Sequence, residues 1–460
     1  MDARFAGGRA GTAPLTWGQR AIWDTIRATA PDDHYFNFGR VLTVPGRARP
    51  LTPERAAEAL GALVERHESL RTRLGGAGPY QEAGPHPEAG PYREADPYRE
   101  AGPYQVLESA GALPLTLATG DPERLLGELA ATAFDYACEW PLRAGLVVDG
   151  GEVTEIVLVF CHLAADGLGA EAALRDLRLL LLRGSVPGPV PPQPLDLARW
   201  QESEPGRRAA RAAAGHWERE YRRIPPTMFD RPSGEAADPP VWRALLVSRA
   251  AELAVRRLAA THAASTSTVL LAAATALTGT VTGRDVCAML PIVANRFRGG
   301  TANAVTTLSQ EGLFVLGPRR GSFTELLRAA GPAALNAYRS AYHDPRDRDR
   351  LTAEASRERG TPVHPYCCFN DMRFADRAGP VPGGAEVRRA AAETALSWPL
   401  RQENLNCRFC LHVTAEPGGL GVSLTADTRF LSRPAMERYL LDLESLLVEA
   451  ACDEVPEPAG

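Results

Sequence analysis

The sequence predicts an α+β (mixed) fold for a chain of 460 residues. Apolar runs with strand character alternate with amphipathic segments of helical period along the chain, which is typical of intermixed strands and helices. Hydrophobic residues make up 45% and charged residues 23% of the chain, an ordinary globular composition. This length predicts two or three domains, or two lobes that share one interface.

The first predicted elements are helices. The segment 15–24 has an amphipathic helical pattern, and a second helix is predicted over 52–67. Thr52 suits the N-cap of that helix and Pro53 suits its first position. The residues that follow, 66–74, are expected to lead from this helix into a strand.

A six-residue repeat follows this predicted strand. Residues 78–101 contain four variants of the pattern Gly-Pro-Tyr-Gln-Glu-Ala. A proline in every copy excludes a long helix or a central strand, and without these 24 residues the flanking sequence predicts a β-hairpin. We interpret the repeat as an expansion of the hairpin tip, where insertions are tolerated. A tether that contacts a partner through its tyrosines is the alternative.

The remaining elements are predicted from hydrophobic period. An apolar strand over 154–162 leads into a helix over 167–183. Five prolines in the ten residues 185–194 predict an interlobe linker, which separates a lobe over 1–184 from a lobe over 195–460. The second lobe is predicted to contain helices over 207–223, 251–262, 268–277 and 434–451, and strands over 286–293, 407–415 and 421–426.

Composition excludes several classes of function. All 51 basic residues are arginine, so the chain cannot form a lysine Schiff base and lacks the lysine of P-loop and kinase sites. The net charge of -5 disfavours a nucleic-acid surface. Neither a signal peptide nor a membrane span is expected, and eight cysteines in so long a chain do not form a disulfide scaffold. We therefore expect a protein of the reducing cytoplasm, with neither nucleic acid nor a membrane as partner.

The candidate site lies where the strand ending at His162 meets the helix beginning at Gly167. Such a junction can present one imidazole on a rigid base, and histidine is the side chain best suited to proton transfer near neutral pH. Free N–H groups at the helix start can stabilise a developing oxyanion. A histidine that caps the loop without a catalytic role is the alternative on these local grounds.

The segment His162-x-x-x-Asp166-Gly167 resembles the HHxxxDG motif of nonribosomal peptide synthetase condensation domains. Further segments resemble other motifs of that family in the same order along the chain, from about residue 14 to residue 447. These segments are 15–23, 66–72, 195–201, 216–220, 291–296 and 303–308.

The resemblance implies two chloramphenicol-acetyltransferase-like lobes in a V-shaped pseudo-dimer with the active site in an interlobe tunnel. It implies that His162 orients or deprotonates an acceptor amine or hydroxyl, which attacks a thioester on the phosphopantetheine arm of a carrier protein. Asp166 would form an ion pair with Arg296 that shapes the loop, and Gly167 would offer its N–H to the oxyanion. The acceptor would be carrier-bound or a free small molecule. No permanently bound cofactor and no metal are expected.

One position departs from the family motif, since Cys161 stands in place of its first histidine. Neighbouring residues of a strand point to opposite faces. If His162 faces the tunnel, Cys161 faces the core, where cysteine is a common small hydrophobe. We therefore expect Cys161 to support the site from a buried position rather than to act as a nucleophile. The family's first histidine has a supporting role, so its loss affects efficiency more than mechanism.

Other candidate motifs are given structural roles. Cys407-x-x-Cys410 has zinc-like spacing, but no second pair lies nearby in the sequence, and a strand is predicted there. Cys367 and Cys368 are likewise predicted to lie in a strand. The charged run 344–350 is predicted to be a solvated loop.

Three functions stay open. The first is a free-standing condensation enzyme that forms an amide or ester from a carrier protein supplied in trans, because no adenylation or carrier domain is attached. The second is a coenzyme A-dependent acyltransferase of the HxxxD superfamily, although the DFGWG segment of the plant enzymes is absent. The third is an inactive condensation-like domain that recruits a partner enzyme. The presence of His162, Asp166 and Gly167 favours activity.

Overall fold

The computed structural model describes residues 1–76, 102–317, 321–373, 379–403 and 407–453. Strands and helices alternate along these residues, so the predicted mixed fold class is confirmed. The chain divides into two compact units. Unit 1 comprises Met1–Ala209 and Ala294–Ser309, and unit 2 comprises Ala210–Val293 and Gln310–Gly460. The proline-rich segment 185–194 lies within unit 1, and the predicted lobe boundaries on either side of it stay a prediction.

The elements are numbered in chain order. The strands of unit 1 are β1 (Asp2–Ala6), β2 (Gly11–Pro14), β3 (Phe38–Thr43), β4 (Thr72–Gly75), β5 (Tyr104–Leu107), β6 (Ala110–Ala118), β7 (Leu142–Asp149) and β8 (Glu152–Phe160). The strands of unit 2 are β9 (Val241–Ser248), β10 (Cys287–Val293), β11 (Gln310–Glu311), β12 (Phe314–Leu316), β13 (Cys367–Asp371), β14 (Ala395–Gln402), β15 (Phe409–Glu416) and β16 (Gly419–Asp427). The helices are α1 (Trp17–Thr29), α2 (Pro53–Arg66), α3 (Pro122–Ala130), α4 (Gly167–Arg183), α5 (Pro194–Glu202), α6 (Glu204–Tyr221), α7 (Arg249–Thr261), α8 (Thr266–Thr282), α9 (Phe323–Arg339), α10 (Pro345–Arg359), α11 (Gly384–Ala390) and α12 (Arg433–Asp453).

Unit 1 is organised around a five-stranded sheet in the order β1-β6-β7-β8-β3. Its neighbouring strands are antiparallel except for the parallel pair β6 and β7. Ile156 and Leu158 of β8 pack in an apolar cluster with residues of α2 and α4, whereas Val157 packs with Leu125 of α3. Because β8 is buried on both faces, it reads in the sequence as a nearly continuous apolar run rather than an alternating one.

A second, three-stranded sheet of unit 1 contains the hairpin that the repeat interrupts. β4 and β5 pair antiparallel with Gly75 opposite Tyr104, and β2 pairs with β5 on the other side. The flanking strands thus pair as the sequence predicts. The repeat itself, Gly78–Ala101, lies outside the described residues.

Deletion of Gly78–Ala101 is expected to leave both the Tm and the catalytic rate unchanged. The shortened chain would join β4 to β5 through four residues, an ordinary length for a hairpin loop. The measurements are thermal unfolding and acyl transfer, with a Gly-Ser segment of equal length in place of the repeat as the matched control. Loss of activity at an unchanged Tm, in the deletion and in the Gly-Ser variant alike, would instead identify the repeat as a binding segment.

Unit 2 is organised around an eight-stranded sheet. Seven strands follow the order β11-β10-β13-β15-β16-β9-β14, and β12 pairs with β10. One face packs against α7, α8 and α12, with Leu246, Leu411 and Leu424 among the buried strand residues. Within the described ranges no single helix is long and apolar enough to cross a membrane, and α7 and α8 satisfy length and composition only as a pair bent by 109°.

The prediction of a solvated loop over 344–350 is wrong, since these residues form the cap and first turns of α10. The Asp344 side chain accepts a hydrogen bond from the N–H of Arg346, and Pro345 occupies the first helical turn. Arg350 and Glu354 add an ion pair one turn apart, at 3.1 Å. Capping, a preset proline φ angle and this spacing outweigh the density of charge.

Candidate active site

His162 stands on a tight turn between β8 and α4. The strand ends at Phe160, and the N–H of Ala164 donates to the carbonyl of Cys161 at 2.9 Å to close the turn. Asp166 then caps α4, with its carboxylate accepting from the N–H of Gly169 at 2.8 Å. A buried strand on one side and a capped helix on the other therefore hold the imidazole on a rigid base.

Phe38 contacts the His162 ring, and its role was not predicted from the sequence. Its ring stacks on Phe160 with centroids 5.7 Å apart and meets the imidazole edge-on at 5.3 Å. Such contacts restrict the orientation of an aromatic ring. The cluster of aromatic residues over 35–38 was the available signal, but only the pairing of β3 with β8 brings Phe38 to His162.

The surroundings of His162 favour the neutral imidazole. Burial lowers the pKa of His162 below its ordinary value, and the opposing effects of its own carbonyl and of Asp166 are smaller. Its Nδ1 atom is buried without a hydrogen-bond partner among the described residues, while the residue as a whole is partly exposed. A neutral ring with one buried nitrogen leaves Nε2 as the nitrogen able to accept a proton from a ligand.

Asp166 joins the start of α4 to the segment 294–309. Its Oδ1 accepts from Arg296 and from Gly169, as described above. Its Oδ2 accepts from the N–H groups of Leu308 and Ser309 at 3.0 and 3.1 Å and from the Ser309 hydroxyl at 2.9 Å. A buried carboxylate with this many donors is a structural centre rather than a free base. The structure thus brings together Asp166 and Arg296, the pair that the resemblance implied.

The segment 294–309 also contacts the turn that carries His162. The Thr307 hydroxyl donates to the His162 carbonyl. A Cβ atom on Gly18 would lie 2.3 Å from the Thr307 carbonyl oxygen, so only glycine allows α1 to approach this segment so closely. Two of the motif-like segments, 15–23 and 303–308, therefore meet beside His162.

Gln19 supports the turn that carries His162 through side-chain hydrogen bonds. Its Nε2 donates to the Gln105 side chain at 3.3 Å and lies 3.5 Å from the Leu163 carbonyl. Its Oε1 accepts from the N–H of Thr16 at 3.0 Å, which closes a capping box at the start of α1. Gln19 is buried, so its contribution is to hold the turn rather than to bind a ligand.

The segment 66–72 holds α4 through a buried carboxylate. Arg66 Nε and His67 Nε2 each lie 3.0 Å from Asp176 Oδ2, and Arg175 Nη2 lies 2.7 Å from Oδ1. Burial alone would raise the pKa of Asp176, but its hydrogen bonds to His67 and Arg175 hold that pKa down at about 2. This ion cluster ties α4 to the end of α2, so the segment acts on the site through the position of α4.

Gly167 is the first residue of α4 and is partly exposed. Its N–H has no hydrogen-bond acceptor among the described residues. An unpaired N–H at a helix start is a donor available to an oxyanion or to water.

Cys161 lies on the opposite side of the chain from His162. It is 2% exposed and packs with Trp23, Val159 and Leu163. Burial raises the pKa of its thiol to about 12. The side chain is therefore a neutral, packed thiol at physiological pH, whereas a nucleophilic cysteine reacts as the thiolate.

Cys161 is expected to resist alkylation in the folded protein. Iodoacetamide at pH 8 should label the exposed Cys138 and leave Cys161 unmodified until the protein is denatured. Mass spectrometry of peptides measures both residues in one sample.

The Cys161→Ser variant is expected to retain nearly the wild-type rate. A loss of rate as large as that of a His162 variant would restore the nucleophile hypothesis.

The other cysteine motifs lie in or beside strands. Cys368 of β13 is the register partner of Cys410 of β15. Cys407 precedes β15, and its thiol donates to the Tyr366 carbonyl at 2.8 Å. No group of three or more histidine, cysteine or acidic residues suited to a metal ion occurs in the part of the chain that the structure describes.

Comparison with known sequences gives relatives that are far longer than this chain. No protein-family model matches. The chain is 29% identical over 300 residues to phosphinothricin tripeptide synthetase PhsC of Streptomyces viridochromogenes, which covers 63% of this chain and 26% of that protein. It is 27% identical over 380 residues to the probable non-canonical nonribosomal peptide synthetase CymA of Salinispora arenicola, covering 76% of this chain and 4% of that protein. The chain thus spans about a quarter or less of these relatives.

Comparison with solved structures shows the fold. The condensation domain for chain release from the enacyloxin polyketide synthase superposes with a TM-score of 0.70 at 18% identity, covering 99% of this chain and 85% of that one. The condensation domain of the monacolin K polyketide synthase MokA gives 0.69 at 16% identity, covering 97% and 99%. The first condensation domain of the calcium-dependent antibiotic synthetase, bound to a substrate analogue, gives 0.63 at 18% identity, covering 97% and 98%.

Proposed function

We propose that this chain joins an acyl group to an amine or hydroxyl acceptor. It has the condensation-domain fold and has sequence relatives among nonribosomal peptide synthetases. The acyl group would arrive as a thioester on the phosphopantetheine arm of a carrier protein. The observation that carries this proposal is the rigid turn between a buried strand and a capped helix, which holds the imidazole of the partly exposed residue His162.

His162 would act on the acceptor. As the nitrogen or oxygen of the acceptor attacks the thioester carbonyl, its proton would pass to Nε2 of the imidazole. Collapse of the tetrahedral intermediate would break the carbon–sulfur bond, and the departing thiolate would take up this proton from the imidazolium of His162. A neutral imidazole suits both steps, because it accepts the proton first and donates it afterwards. The N–H of Gly167 would donate to the oxyanion of the intermediate.

Asp166 and Arg296 would position these groups without touching the substrate. Asp166 already accepts hydrogen bonds from α4 and from the segment 294–309, so its oxygens have little capacity left for a ligand. Their proposed role is to fix the position of the turn that carries His162 relative to the start of α4. No group of the proposed mechanism requires a lysine, a metal or a bound cofactor.

The test is a mass-spectrometric assay of acyl transfer with two donor arms. One arm supplies acyl groups on phosphopantetheinylated carrier proteins, and the other supplies the same acyl groups on coenzyme A, each with a panel of free amines and alcohols. The proposal predicts product in the carrier arm that depends on His162. Product in the coenzyme A arm alone would replace the carrier with coenzyme A as donor. Carrier binding without product from either donor would identify a recruitment domain and contradict the proposal.

A further inference from the structure

Three cysteines of unit 2 lie together where β13 pairs with β15. They are Cys368 of β13, Cys410 of β15 and Cys407, which precedes β15. Cys367 and Leu411, the neighbours of the first two in the chain, belong to the apolar core cluster, whereas Cys368 and Cys410 do not. Because successive side chains of a strand point to opposite faces, Cys368 and Cys410 share the face of the sheet that is turned away from this core.

The strand register places Cys368 and Cys410 side by side. β13 and β15 are parallel, and the two cysteines are Cα partners in that pairing. Neighbouring strands lie about 4.7–4.9 Å apart. The Cα atoms of disulfide-bonded cysteines are usually about 4.4–6.8 Å apart. The two backbones are therefore already as close as a disulfide requires.

The thiol of Cys410 contacts both of the other thiols. Its hydrogen bonds to Cys368 and to Cys407, together with burial, raise the pKa of Cys410 well above its ordinary value. The thiol of Cys407 also donates to the carbonyls of Tyr366 and Phe409, at 2.8 and 3.1 Å. The strand register and these carbonyl contacts both favour Cys368 over Cys407 as the reaction partner of Cys410.

The cysteines differ in their access to solvent. Cys368 is partly exposed, whereas Cys367 and Cys410 are buried. A dissolved oxidant therefore reaches Cys368 before either neighbour. A thiol that is oxidised to a sulfenic acid condenses with a second thiol beside it, and an accessible thiol next to such a resolving thiol is the arrangement of redox-sensitive sites.

We propose that Cys368 and Cys410 form a disulfide when the protein meets a peroxide, which makes this pair a reversible modification site. Hydrogen peroxide oxidises the Cys368 thiol to a sulfenic acid and is itself reduced to water. The Cys410 sulfur then attacks the sulfenic sulfur, so that the S–S bond forms and the S–O bond breaks. The hydroxyl group leaves as a second water with the proton of Cys410. The site is independent of the proposed condensation, because it uses no group of that mechanism.

Peptide mapping of the full chain tests this bond directly. The chain contains no lysine, so trypsin cuts it only after arginine and places the three thiols on separate peptides, 360–373, 402–408 and 409–429. The protein is treated with limiting hydrogen peroxide and then unfolded in iodoacetamide, which blocks the remaining thiols. We expect the first and third peptides to be cross-linked with the loss of two hydrogen atoms, and dithiothreitol should separate them.

The Cys368→Ser variant is expected to abolish this cross-link, because Cys410 then lacks its register partner. Cys138→Ser is the matched control, since Cys138 is an exposed cysteine of unit 1. This control should form the cross-link as the wild type does. Circular dichroism before the addition of peroxide checks that both variants are folded.

Three results in the wild type would overturn the proposal. The first is a cross-link that joins Cys410 to Cys407, or one that fragmentation of the first peptide places at Cys367. The second is sulfinic acid at Cys368 without any cross-link, which identifies an exposed thiol without a resolving partner. The third is complete alkylation of Cys368 and Cys410 at a peroxide dose that oxidises Cys138.

Discussion

Replacement of His162 by alanine is expected to lower the rate of product formation about 10²- to 10⁴-fold, the usual contribution of a positioned general base. His162 is partly exposed as a residue and its Nδ1 has no hydrogen-bond partner among the described residues, so removal of the ring should disturb few contacts. Thermal unfolding and carrier binding should therefore remain close to wild type. The measurement is the single-turnover rate of acyl transfer at saturating donor and acceptor.

The matched control for this variant is His34→Ala. His34 is another partly exposed histidine of unit 1, and its ring contacts that of Tyr35 rather than the turn that carries His162. This control should retain the wild-type rate. Undiminished turnover in His162→Ala would remove the histidine from the mechanism.

The pH dependence of the wild-type rate gives an independent readout of His162. Burial lowers the pKa of His162 below 6.5, so the neutral base should predominate at pH 7. The rate should decline as the pH falls through this lowered pKa, so that the midpoint of the decline lies below pH 6.5. A decline centred above pH 6.5 would contradict a general base whose pKa is lowered by burial.

Replacement of Asp166 by alanine is expected to lower the free energy of unfolding by about 3–5 kcal/mol, the typical effect of removing one partner of a buried ion pair. The side chains of Asp166 and Arg296 are 3% and 8% exposed. The variant would leave the Arg296 guanidinium without its counter-ion and remove the cap of α4. Urea unfolding monitored by tryptophan fluorescence and circular dichroism measures the change. Activity should fall as well, because the turn that presents His162 would lose its anchor.

A comparison of variants separates the ion pair from general damage. Asp196→Ala is the matched control, because Asp196 pairs with Arg9 at 2.8 Å in the same unit but is 43% exposed. Its loss should cost at most about 1 kcal/mol, as is usual for exposed pairs. The double variant Asp166→Ala/Arg296→Met should be more stable than the sum of its single changes predicts. Additive effects of the two changes would exclude a coupled pair.

Some predictions succeeded because their signals are local. The bounds of α4 follow from a capping Asp166 before it and Gly184 in the left-handed conformation after it. The hairpin of β4 and β5 was likewise predicted from the residues that flank the repeat. Local signals also explain why the loop over 344–350 was wrongly predicted, since the cap at Asp344 was present in the sequence but the prediction rested on the density of charge.

At the candidate site, the local elements were predicted from the sequence but the contacts between distant residues were not. A strand before His162 and a helix after it were predicted from residues next to one another in the chain. The contact of Phe38 with His162 and the close approach of Gly18 to Thr307 were not predicted from the sequence.

The sequence by itself therefore determined the mixed fold class, the position of the histidine turn and the cap of α4. These depend on backbone propensities and hydrophobic period over a few adjacent residues. Only the tertiary structure decided which distant residues surround the histidine. Asp166 and Ser309, for example, are separated by 143 positions and meet at 2.9 Å. Contacts of this kind depend on strand register and on packing between elements, and no local pattern in a single chain encodes them.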